Sequence, residues 1–148
     1  MAIADMLYPD NVKAPLEKTE KNDIILELLT LLYDSGRISD LDKAFRAIRQ
    51  REDQGSTGLG EGIAVPHAKT DLVSSLTLAL GVAPQGVDFD SLDGKPTRVF
   101  FLLLAPPDQS GPHVEALSEV AKISRSASFM RLLSSARSSE EVLDLFRD

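Results

Sequence analysis

The chain has 148 residues, 43% of them hydrophobic, which suits one globular domain with one sizeable core. Its 16 Lys and Arg against 23 Asp and Glu leave a formal charge of −7 that argues against general nucleic-acid binding, and zero cysteines exclude disulfides, thiolate zinc sites and thiol redox chemistry. The longest apolar run, VFFLLLAPP from Val99 to Pro107, falls short of the roughly 18 residues of a membrane span, and MAIADMLYPD carries acids where a signal peptide carries bases, so no membrane insertion and a cytoplasmic address are expected.

The first predicted element is a long helix in TEKNDIILELLTLLYDSG. Ile24, Ile25, Leu28, Leu29, Leu31 and Leu32 form its broad apolar face, with Thr19 as N-cap and Gly36 as stop. A second helix follows in SDLDKAFRAIRQREDQG, capped by Ser39 or Asp40, with Leu41, Ala44, Phe45 and Ile48 on one side and Gly55 as terminator. Beyond a glycine-rich stretch, Leu76–Ala83 and Thr97–Ala105 are short apolar runs bounded by turn residues, the pattern of buried strands. A short extra strand is expected around Val87–Phe89. The chain closes with helices: GPHVEALSEVAKI with Val114, Leu117, Val120 and Ala121 in helical register, then SFMRLLSSA, then SSEEVLDLF with a capped, acidic first turn. The class is α/β, in a single domain spanning residues 1–148.

Chemistry concentrates in GSTGLGEGIAVPHAK, Gly55 to Lys69, which holds four glycines, a Ser-Thr pair and the first of two histidines. Gly58, Gly60 and Gly62 do not form a dinucleotide fingerprint, because they follow a helix instead of opening one, and no Gly-Lys-Ser/Thr ending makes a Walker A loop. Pro66 fixes its own φ and pushes Val65 toward an extended conformation, so His67 sits on stiffened backbone. The glycines would let backbone N–H groups approach a ligand, and Ser56 and Thr57 would add hydroxyl donors for anionic oxygens. A neutral imidazole beside such donors is a phosphoryl acceptor, although an isolated histidine in this setting also reads as a structural residue.

The second histidine lies in LLLAPPDQSGPHVEALSEVAK, where Ser110 or Gly111 is the expected cap and Pro112 the first helical residue. His113 then falls in the first turn, where the helix dipole and unpaired N–H groups disfavour an imidazolium and attract an anion. Leu117 and Val120 share its face, which aims it at the sheet. A helix-end histidine packed for structure is the alternative.

REDQGSTGLGEGIAVPHAK together with LLLAPPDQSGPHVEALSEVAK resembles the enzyme IIA domain of the bacterial phosphoenolpyruvate-dependent phosphotransferase system, of the fructose/mannitol/nitrogen class. The resemblance implies a mixed β-sheet flanked by helices, with His67 as the acceptor of a phosphoryl group from phospho-HPr. It implies His113 as the second active-site histidine, which stabilises that group, and Arg51 as a stabilising cation. By its position alone Arg51 is equally a base favoured near a helix C-terminus. The residues Ser56, Thr57, Gly58, Gly60 and Gly62 would form the loop of the phosphoryl site. The implied partners are an HPr-type donor and either a IIB protein, whose cysteine takes the phosphoryl group, or a regulated target. No cofactor or metal is implied. A chain ending in SSEEVLDLFRD without a fused cysteine-bearing segment leans toward a stand-alone, nitrogen-type regulator.

Two residues depart from the family pattern. Ala68 stands where glycine is usual, which would reshape the chain after His67, and Pro112 precedes His113, which would alter the angle of the second imidazole. Rival readings are a regulatory binding module that transfers nothing, and a hydrolase with a two-histidine metal site completed by Asp71, Asp108 or Glu115. No HExxH or other close ligand spacing supports the second.

Overall fold

The computed structural model describes residues 3–147, so Asp148, the last residue of the closing segment, lies outside it. A 3-10 turn (Ile3–Met6) and β1 (Val12–Lys13) lead into α1 (Lys21–Asp34) and α2 (Leu41–Glu52). Three short strands follow, β2 (Gly58–Gly60), β3 (Ile63–Ala64) and β4 (His67–Lys69), then two long ones, β5 (Thr77–Val87) and β6 (Thr97–Ala105). Helices α3 (Ser110–Ser124), α4 (Ala127–Ser134) and α5 (Ser139–Leu145) close the chain.

The longest apolar run became β6, the middle of a mixed sheet ordered β1-β5-β6-β3-β2. Side chains alternate along a strand, so Phe100, Leu102 and Leu104 face α1 and α2, while Val99, Phe101 and Leu103 face α3, α4 and α5. Burial on both faces explains why the run shows no polar alternation. The result is three layers, helix, sheet and helix, as the α/β reading expected.

β5 runs antiparallel to β6, whereas β3 and β4 run parallel to it along its other edge. Ile63 and Ala64 pair with Val99 and Phe100; His67, Ala68 and Lys69 pair with Leu103, Leu104 and Ala105. The break between them contains Pro66, which has no N–H for the ladder but accepts from Leu103 N at 2.9 Å. His67 is thereby held on an edge strand.

Several boundaries differ from the sequence expectations. Helix α1 starts after Glu20, not Thr19, and no side chain caps it; burial of Ile24, Ile25, Leu28, Leu29 and Leu32 sets its position instead. Gly36 ends it at φ +79, as expected. The separate strand at Val87–Phe89 does not form. Val87 instead ends β5, pairing with Thr97 beyond an irregularity that takes up Pro84 and Gly86, and Phe89 packs on Phe100 with ring centroids 5.4 Å apart. In α3 the first residue is Ser110, and Pro112 is the third. The missing N–H of Pro112 costs nothing there, since the first four N–H groups of any helix lack a partner inside it. Val114 faces solvent, and the buried stripe comprises His113, Ala116 and Val120.

Asp40 caps α2 by accepting from Lys43 N at 3.0 Å. Asp40→Ala is expected to destabilise the protein by about 1 kcal/mol in a urea melt. An unchanged midpoint would show that the cap contributes nothing here.

Candidate functional site

Helix α2, edge strand β4 and the start of α3 form the walls of an open cavity of about 350 Å³ lined by Ala47, Gln50, Arg51, Gln54, His67, Ala68, Lys69 and His113. The two imidazoles meet edge to face, their ring centroids 5.2 Å apart and their planes at 76°. The structure therefore brings together His67, His113 and Arg51, the three residues expected to do the chemistry.

His67 is half-buried, and its Nδ1 lies 2.7 Å from the carbonyl oxygen of Val65. A carbonyl can only accept, so Nδ1 carries the proton and Nε2 the free lone pair. His113 is 5% exposed, and its Nε2 is buried with no hydrogen-bond partner among the described residues. Buried polar atoms rarely stay unpartnered, so this nitrogen is suited to receive a ligand oxygen. Arg51 Nη1 donates to the carbonyl oxygen of Gly55 at 2.9 Å, which holds the guanidinium across the end of α2.

Burial is the main reason His67 titrates below its ordinary value, helped by the Arg51 charge and opposed by the Val65 carbonyl and Glu52. Burial also lowers His113, with smaller contributions from His67 and Lys69. Both rings are therefore neutral at pH 7. If acceptance of a phosphoryl group requires a neutral ring, its rate stays flat from about pH 8 down to the ordinary histidine value of 6.5 and falls only below it. For stability the sign is the reverse of a histidine that gains a partner. The unfolded chain protonates first as pH drops through about 6.5, so acid weakens the fold in that window. A labelling rate that halves at pH 6.5 would contradict the lowered titration.

The residues expected to form the phosphoryl-site loop, Ser56, Thr57, Gly58, Gly60 and Gly62, lie outside the cavity lining. Ser56 Oγ donates to the Phe89 carbonyl oxygen at 2.8 Å and accepts from Gly58 N at 3.0 Å, and Thr57 Oγ1 bonds to the Glu52 carboxylate. The glycines serve backbone geometry: Gly60, Glu61 and Gly62 all have positive φ in the tight turn between β2 and β3, and a Cβ on Gly58 would come within 3.0 Å of Ser91 Cα. The two departures are absorbed. Ala68 lies in β4 without positive φ and buries its methyl against α1 and α2, and Pro112 leaves His113 in contact with His67.

Residues 5–148 match the family described as phosphoenolpyruvate-dependent sugar phosphotransferase system, EIIA 2. The chain belongs to that family. Among curated relatives, the fructose-specific EIIA component of Haloferax volcanii is 37% identical over 128 residues, covering 86% of this chain and 83% of that protein. The fructose-specific EIIABC component of Bacillus subtilis is also 37% identical, but this chain spans only 23% of its length. The crystal structure of nitrogen regulatory protein IIA-Ntr from Neisseria meningitidis superposes with a TM-score of 0.87 at 32% identity, covering 97% of this chain and 98% of that one. The mannitol IIA in a complex with phosphorylated IIB from Escherichia coli shares the fold, with a TM-score of 0.79 at 24% identity over 95% of this chain and 96% of that one. Relatives of this EIIA chain thus include both sugar-specific and nitrogen-regulatory proteins.

Apart from Arg51, the α2 side of the EIIA cavity was not expected from the sequence. Ala47, Gln50, Arg51 and Gln54 follow i, i+3, i+4, i+7 spacing, so one face of α2 and the residues just after it point at the histidines. Lys69 shares the face of His67 because it lies two residues along the same strand. Neither Asp71, Asp108 nor Glu115 lines the cavity, and Asp71 pairs with Lys43 at 2.7 Å. Among the described residues, no group of three or more His, Cys, Asp and Glu could hold a metal ion, and no helix is long and apolar enough to cross a membrane.

Proposed function

We propose that this EIIA protein is a phosphohistidine carrier that accepts a phosphoryl group from phospho-HPr on Nε2 of His67. The observation that carries the reading is the Nδ1 contact to the Val65 carbonyl, which leaves the nucleophilic lone pair on Nε2. Transfer then needs no separate base. The P–N bond to the donor histidine breaks and its electron pair stays on the donor ring, while the Nε2 lone pair forms the new N–P bond. The Nδ1 proton stays in place, and the Val65 carbonyl stabilises the positive charge that the phosphorylated ring acquires.

Around the new group, Arg51 and Lys69 offset the phosphoryl charge, and His113 Nε2 supplies a buried donor in its N–H tautomer. The carrier works in the cytoplasm, where phosphoenolpyruvate supplies phosphoryl groups. From His67 the group passes to a cysteine of a IIB-type partner, or its presence signals to a regulated target. Phosphorylation adds about 1.5 to 2 negative charges at the rim of the cavity, enough for a charged docking face to distinguish the two states.

The test is to incubate the protein with phosphoenolpyruvate, enzyme I and HPr and weigh it intact. One acid-labile phosphoryl group per chain is expected. No mass gain, with HPr itself phosphorylated, would leave the regulatory module that transfers nothing.

A further inference from the structure

Glu52, the last residue of α2, has a fully buried side chain. Burying a carboxylate this completely is costly unless a partner meets its charge and donors meet its lone pairs. Lys21 Nζ, from the start of α1, meets the charge at 2.9 Å from Oε1. Thr57 meets the lone pairs: its backbone N–H lies 3.2 Å from Oε1 and 3.3 Å from Oε2, and its hydroxyl bonds to Oε2.

Thr57 is in turn bonded to the backbone that presents the acceptor. Its carbonyl oxygen accepts from Val65 N at 2.9 Å, and the carbonyl oxygen of Val65 accepts from His67 Nδ1 at 2.7 Å. The path from the Glu52 carboxylate to the imidazole therefore crosses two residues, Thr57 and Val65, and hydrogen bonds make every joint. Pro66 stiffens the last step, since it restricts the conformation of Val65. From these contacts we propose that Glu52 is a positioning residue for phosphoryl acceptance: through Thr57 it holds the Val65 carbonyl where it keeps the proton on His67 Nδ1 and the lone pair on Nε2.

The proposal rests on His67 being the acceptor and adds what sets its tautomer. The charged and titratable groups facing His67 are Arg51 and Glu52 from α2, Lys69 from β4 and His113 from α3. Glu52 opposes Arg51 in its effect on the His67 ring, so loss of the carboxylate also removes a charge that favours the ring's proton.

The test compares Glu52→Ala and Glu52→Gln with the parent protein. Nitrogen-15 NMR reads the His67 tautomer in the unphosphorylated protein, and the rate of labelling by phospho-HPr is read separately. Glu52→Ala is expected to shift His67 from one tautomer to a mixture and to slow labelling at least about tenfold, by analogy with the loss of an outer-shell partner that orients a histidine. Glu52→Gln keeps a carbonyl to accept from Thr57 N and is expected to recover most of the parent tautomer. A merely structural Glu52 would lower the melting temperature while leaving the tautomer and the rate unchanged, and that result overturns the proposal. If Glu52→Ala does not fold, Thr57→Val removes only the hydroxyl link. A mixed tautomer there supports the proposal, and an unchanged one overturns it. The tautomer measurement needs no donor, so its failure is distinct from a parent protein that takes up no phosphoryl group.

Discussion

His67→Ala will take up no phosphoryl group from phospho-HPr under conditions that label the parent protein to completion. The loss should be total because the cavity offers no substitute nucleophile. His113 is 5% exposed and its Nε2 is fully covered, so a donor histidine on another protein cannot line up behind it. Lys69 reaches the cavity, but an ammonium group only donates and has no lone pair to give. The fold should tolerate the change, because His67 is half-buried on a short edge strand and its side-chain hydrogen bond is local, to a residue two positions away. Intact mass and a thermal melt on the same sample separate loss of the nucleophile from loss of structure. Label on a folded His67→Ala protein would remove His67 from the mechanism.

The second large effect is expected at His113. A donor buried next to the reacting group acts where water does not compete, and loss of one such donor typically costs about 10²-fold to 10³-fold in rate. His113→Ala should therefore slow labelling by about that factor while still reaching one phosphoryl group per chain, since the nucleophile is intact. His113→Gln, which restores an N–H donor of similar reach, should recover part of the rate. The geometry behind this expectation is the edge-to-face contact at 5.2 Å together with an Nε2 that has no partner among the described residues. Rates within about threefold of the parent for both variants would assign His113 a packing role only.

Much of this architecture is legible in the linear chain, and the physical reason differs from element to element. The run Thr97–Ala105 reads as a buried strand because both its faces are covered, and α1 reads as a helix because its apolar positions repeat at helical spacing. Around β3 and β4 only the extended backbone that Pro66 favours is legible, and β2 is not legible at all, because two or three residues carry no periodicity and owe their pairing to each other and to β6. Both histidines were readable from their local settings, Pro66 before one and a helix start around the other. Their contact was not, since it depends on β4 and α3 reaching the same edge of the sheet. The roles of the glycines within the fold were not legible either. Their backbone freedom serves the turn between β2 and β3 and the close approach of Ser91. Ser56 and Thr57 are similar: a hydroxyl is a donor in any sequence, and only the fold shows that these two bond to Phe89 and Glu52.

Nitrogen-15 and phosphorus-31 NMR of the labelled, phosphorylated protein tests the central claim most directly, because it reports which nitrogen of which histidine carries phosphorus. The account predicts a single phosphohistidine, at His67, with phosphorus on Nε2 and the proton retained on Nδ1 against the Val65 carbonyl. Phosphorus on Nδ1 of His67, or on either nitrogen of His113, would contradict it.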